Sequence, residues 1–104
     1  MVGQGQTVQA LEVLEQLDKI FMFDPKILMT KGVVLYLLNR IDDAILDLAI
    51  ANLIEEDNFE IVYNLACVLE IYNKEASKYY YEKAINLSTN DEMIEQIKCI
   101  LEAI

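Results

Sequence analysis

The chain has no histidine, two cysteines, and 18 acidic against 8 basic side chains. Any chemistry would therefore fall to carboxylates, thiols, phenols or amines. General acid-base catalysis loses its usual carrier, and metal binding its commonest ligand. Glu55-Glu56-Asp57 is the densest run of candidate metal ligands, but Asn58-Phe59 continues from it without the spaced oxygen donors of a calcium loop. It is read as a solvated turn. No glycine-rich loop that could cradle a phosphate occurs, so no metal and no cofactor are expected and the chain is not expected to be an enzyme. Cys67 and Cys99 stand 32 positions apart with neither a CxxC spacing nor a histidine beside them, the pattern of reduced thiols in a reducing compartment.

Length and charge narrow the partners. At 104 residues, 55% of them apolar, with three glycines and one proline, the chain suits one ordered domain. Only residues 1–6 read as a flexible tail. A net charge of −10 repels phosphate backbones and anionic lipid, which argues against nucleic acid and for an apolar or basic polypeptide. The longest apolar stretch, Gly32 to Leu38, is far short of the roughly 20 residues of a membrane span. The N-terminus lacks a basic segment followed by a hydrophobic one. No membrane insertion and a cytoplasmic location are expected.

The apolar periodicity predicts helices throughout. From Thr7 to about Met22, Val8, Leu11, Leu14, Leu17, Ile20 and Phe21 recur at three- and four-residue intervals. Asp24-Pro25 ends this helix and opens the next, which runs to about Leu38. A third runs from Asp42 to about Leu53, with acidic residues in its first turn. Phe59 to about Ile71 makes a fourth, Lys74 to Leu87 a fifth, and a sixth follows the capping residues of Ser88–Asn90. Neither strict alternation nor a hairpin dipeptide supports strands.

A repeat organises these helices. Leu28 matches Val62, Gly32 matches Ala66 and Leu35 matches Leu69 at a spacing of 34; Leu48 matches Tyr81 and Ala51 matches Ala84 at 33. Such a period marks a helix-turn-helix solenoid. Small residues at Gly32, Ala44, Ala51, Ala66, Ser77 and Ala84 fall where paired helices must cross closely. Cys67 and Cys99 occupy corresponding helical places, and packed helices hold such positions about 8–10 Å apart, beyond disulfide reach.

Tyr63-Asn64-Leu65-Ala66 and Tyr80-Tyr81-Glu82-Lys83-Ala84-Ile85 resemble the tetratricopeptide (TPR) motif over about residues 25–88. The resemblance implies an all-α, TPR-like solenoid of about six helices in a single domain over 7–104: a leading helix 7–22, repeat one 25–56, repeat two 58–88 and a capping helix 90–104. Lys31 departs from the motif, which there has a buried leucine, so it must snorkel or distort the repeat.

Three further features resemble type III secretion chaperones, of the translocator class or the smaller needle-subunit class. They are Phe21-Met22-Phe23-Asp24 entering a helix, the shortened turn before Glu75-Ala76-Ser77-Lys78, and Ser88-Thr89-Asn90-Asp91-Glu92 leading into a helix ending Cys99-Ile100-Leu101-Glu102-Ala103-Ile104. That resemblance implies a non-catalytic bacterial cytoplasmic chaperone whose partner is an apolar client polypeptide, extended or helical, with a second chaperone or self-association also open. The TPR alignment points Met29, Val33, Tyr36 and Leu37 of one repeat and Tyr63, Asn64, Cys67, Glu70 and Ile71 of the next toward a concave client-binding groove. Glu60 and Met29 stand where co-chaperones of this type place carboxylate-clamping cations, so a C-terminal carboxylate is a poor ligand. The alternative reading is a generic TPR adaptor that scaffolds a multiprotein assembly.

Overall fold

The computed structural model describes residues 2–104. Over these residues the elements are six helices: α1 (Val2–Ile20), α2 (Pro25–Leu37), α3 (Ile41–Ile54), α4 (Phe59–Leu69), α5 (Lys74–Leu87) and α6 (Asp91–Ala103). Side-chain caps set four of the starts. Asp24 Oδ1 accepts from the amides of Lys26 and Ile27 at 2.9 and 3.3 Å, with Pro25 in the first turn. Asn58, Asn73 and Asn90 each accept from the amide three residues on, of Ile61, Ala76 and Met93. Each such cap satisfies a donor that the helix itself leaves open. Arg40, before α3, makes no side-chain cap, but Asp42 and Asp43 sit in that first turn and Asp43 pairs with Arg40 at 2.9 Å.

One expectation is corrected. Residues 2–6, read as part of a flexible tail over 1–6, are helical in the structure, where α1 begins at Val2; Met1 lies outside the described residues. Two glycines lower helix propensity by about 1 kcal/mol each but forbid nothing, and no proline or capping residue stands between Val2 and Thr7 to break the helix. At their other ends α1 and α4 stop two residues short of the predicted Met22 and Ile71.

The chain divides into two compact units at Glu56/Asp57. In the first unit α2 packs on α3 and α1 packs on α2. Leu28, Gly32 and Leu35 of α2 meet Ala44, Leu48 and Ala51 of α3 in the buried layer. The close approach is specific: a Cβ added at Gly32 would lie 2.7 Å from Leu48 Cγ and 3.3 Å from the Ala44 carbonyl oxygen. Lys31 neither snorkels nor disrupts the repeat. Its ammonium reaches Asp18 of α1 at 3.0 Å and Asp47 of α3 at 3.4 Å, so it ties three helices through one partly buried cation. Burial pulls the Lys31 pKa down, yet the hydrogen bond to Asp18 and the charges of Asp47 and Asp18 outweigh it and leave the group above the ordinary lysine value. Asp47 ends above the ordinary aspartate value, because burial outweighs the pull of Lys31.

In the second unit α4 packs on α5 and α5 on α6. Val62, Ala66, Tyr81, Ala84 and Ile97 form its buried cluster, with Ile100 and Leu101 of α6 and Ile104 just after it packed against it. Ser77, fully buried, donates from Oγ to the Ala66 carbonyl at 2.8 Å, so a small polar residue is satisfied at the helix crossing.

Candidate functional site

The nine side chains expected to hold a client fall on α2 in the first unit, and on α4 and the two residues after it in the second, where Ile71 is open. On α2, Met29 and Val33 are half-buried, Tyr36 is just open at 37% exposure and Leu37 is open. Their spacing of four, three and one places them on one side of the helix. That strip carries no charge.

Tyr63, Asn64 and Cys67 on α4 and Glu70 at its C-cap are all half-buried, and three of them gather around a residue of α5. The Tyr81 hydroxyl donates to Glu70 Oε2 at 2.9 Å and lies 3.4 Å from Cys67 Sγ. The Tyr63 ring meets the Tyr81 ring edge-on at 6.0 Å and stacks on Phe59 at 5.7 Å. Tyr63 and Cys67 also pack against the core of the unit, so each serves both the interior and the surface.

Burial, then the Cys67 contact, then the charge of Glu70 raise the Tyr63 phenol above its ordinary pKa. Burial followed by the contacts to Cys67 and Glu70 raises Tyr81 much further. Both phenols therefore stay protonated at neutral pH. The cluster offers fixed hydrogen-bonding groups on an aromatic base, which suits recognition of a polypeptide.

Tyr81, the repeat partner of Leu48, lies in the core at 1% exposure. The contacts of its hydroxyl, and Phe59 as the ring stacked on Tyr63, are parts of this cluster that the sequence reading missed. The i,i+4 spacing of Phe59 and Tyr63 was the available signal for the second. Of the adjoining tyrosines, Tyr79 is open and Tyr80 meets it edge-on at 5.1 Å while packing on the core. Both cysteines are free thiols, with Cys67 half-buried and Cys99 exposed.

Two cavities are lined by none of the expected client-binding side chains, although the second borders Phe59. One of about 160 Å³ sits in the first unit beside Leu11, Lys31, Leu35 and Asp47. Another of about 330 Å³ lies in the second unit between Phe59, Leu87 and Met93. No described helix is long and apolar enough to cross a membrane.

No family's sequence profile matches the chain, and no curated protein does. Solved structures do. The type III secretion translocator chaperone SycD of Yersinia enterocolitica superposes with a TM-score of 0.86 at 17% identity, over 95% of this chain and 72% of that one. PcrH, solved in complex with the chaperone-binding region of PopD, gives 0.82 at 14% identity, over 95% and 78%. The first TPR of Spaghetti (RPAP3), bound to an HSP90 peptide, gives 0.82 at 18%, over 96% and 81%. The chain has a TPR fold. In TPR terms, α2 with α3 and α4 with α5 are the two helix pairs, α1 precedes them, and α6 follows. The neighbours that share the fold are chaperones and peptide-binding TPR proteins.

Proposed function

We propose that this chain is a non-catalytic chaperone of a bacterial cytoplasm that holds an apolar client polypeptide for type III secretion, using the surfaces of α2 and α4. One observation carries the reading. In a chain with net charge −10, the first helix of each pair leaves a strip of partly open, uncharged side chains. Met29, Val33, Tyr36 and Leu37 form one strip, and Tyr63, Asn64 and Cys67 begin the other, which Glu70 closes with a carboxylate. Apolar pockets supply affinity for alternating side chains, and the Asn64 amide can hydrogen-bond the backbone of the bound segment. The solved complexes of SycD with a peptide of the translocator YopD and of PcrH with the chaperone-binding region of PopD support this reading.

An adaptor for acidic C-terminal tails is less well supported. The Spaghetti TPR is solved bound to the HSP90 peptide SRMEEVD, whereas Glu60 and Met29 of this chain stand where the TPR resemblance would place the cations of a carboxylate clamp.

Co-expression with hydrophobic secreted polypeptides tests the proposal. The expected result is a client that is insoluble alone and soluble as a complex that survives high salt. A client equally soluble with and without the chain contradicts a chaperone role and favours the adaptor.

A further inference from the structure

We propose that Glu70, held by Tyr81, is a cation subsite at the C-terminal end of α4, so that the segment bound there is apolar and carries a lysine. This rests on the reading of α4 as a client-binding surface, and adds a charge requirement to it. The Tyr81 hydroxyl donates to Glu70 Oε2 at 2.9 Å, and Tyr81 itself is locked in the core of the unit. The carboxylate of a half-buried Glu70 is therefore fixed in place. Its other oxygen, Oε1, makes no hydrogen bond to the described residues and is not enclosed by them.

Nothing in the unit neutralises this charge. Among the described residues the ion pairs are made by Lys31, Arg40, Lys78 and Lys98, each with a different carboxylate. Glu70 is also the C-cap of α4, whose last turn carries no basic residue. A carboxylate there sits on the negative end of the helix dipole, where a cation is the favoured charge. In a chain of net charge −10, a positioned anion on that pole attracts a cation from outside.

The geometry also selects the kind of cation. A guanidinium binds a carboxylate best through both oxygens, and one of these is already taken by Tyr81. An ammonium, a point charge, needs only the open one. Ile71 and Tyr72, the next two residues, are open at 52% and 62% and offer apolar surface to the lysine stem. Along α4, the seven positions from Tyr63 to Glu70 span about 10 Å at about 1.5 Å per residue. An extended segment rises about 3.3 Å per residue, so the lysine lies about three residues from the apolar side chain seated against Tyr63.

Fluorescence anisotropy tests this with labelled leucine- and valine-based peptides, each carrying one lysine at a stepped distance from a leucine, or a glutamine in its place. At the matching spacing the lysine peptide should bind the wild-type chain at least tenfold more tightly than its glutamine counterpart. Added salt should shrink that advantage. Glu70→Gln keeps an oxygen to accept from Tyr81 but has no charge, so it should retain the helical circular dichroism spectrum and lose the advantage. Tyr81→Phe, which frees the carboxylate to move, should reduce it severalfold. Equal affinity for lysine and glutamine peptides at every spacing, with both weakened by Tyr63→Ala plus Asn64→Ala, overturns the cation subsite and leaves the client surface standing. A lysine advantage that survives in Glu70→Gln also overturns the subsite. Binding by none of the peptides overturns both.

Discussion

Gly32 is the sharpest place to perturb the first helix pair. An alanine there gains about 0.5–1 kcal/mol, because glycine in a helix interior is entropically costly. Against this, the new methyl would sit 2.7 Å from Leu48 Cγ and 3.3 Å from the Ala44 carbonyl oxygen. The near atom is the branch point of a side chain with 0% exposure, so it cannot swing away. Overpacking of this kind costs about 1–3 kcal/mol. The net expectation for Gly32→Ala is a loss of about 1–2 kcal/mol, which urea unfolding followed by circular dichroism would show as a midpoint lowered by about 1 M. Gly5→Ala is the control: nothing lies within 4 Å of its added Cβ, so only the propensity gain remains. Adding Leu48→Ala to Gly32→Ala should show favourable coupling of about 1 kcal/mol, as the clash is relieved. A Gly32→Ala protein as stable as the Gly5→Ala control would refute the assigned crossing geometry.

Two further predictions concern buried polar groups. Lys31→Leu restores the usual apolar residue of the repeat but strands Asp18 and Asp47, and should destabilise by about 1–3 kcal/mol at neutral pH. Without Lys31, the folded-state pKa of Asp47 rises further, so the deficit should shrink on acidification as that carboxylate protonates; urea midpoints across pH would show it, and an unchanged deficit would count against the ion pair. For Tyr63 and Tyr81 the folded pKa lies above 10.0, so as pH rises past 10 the unfolded chain releases protons that the folded one keeps. Stability is therefore flat near neutrality and falls above pH 10. Tyr81→Phe should cost about 1 kcal/mol at neutral pH through the lost Glu70 bond and make the alkaline fall shallower, as measured by urea unfolding at pH 8 and pH 11.

The helical frame was legible because its signals are local. Asp24-Pro25, Asn58, Asn73 and Asn90 punctuate the chain at caps that the structure realises. The small residues at 33- and 34-residue spacing mark the close crossings, and all six are buried. Lys31 was legible only as a misfit. Its partners lie 13 and 16 positions away on different helices, and their convergence depends on packing that periodicity does not encode. Tyr81 shows the same limit: its ring follows from the repeat, whereas its hydroxyl meets Glu70 and Cys67 only once α5 has docked on α4. The start of α1 was missed because glycine is weak evidence against a helix when no breaker accompanies it.

The central claim is that α4, with α2, holds an apolar client. It is tested most directly by titrating a fluorescently labelled apolar segment of a secreted polypeptide into the wild-type chain and into Tyr63→Ala with Asn64→Ala. Circular dichroism would confirm that the variant is folded. The account predicts at least tenfold weaker binding by the double variant, about 1.4 kcal/mol; equal affinity in a folded variant would contradict it.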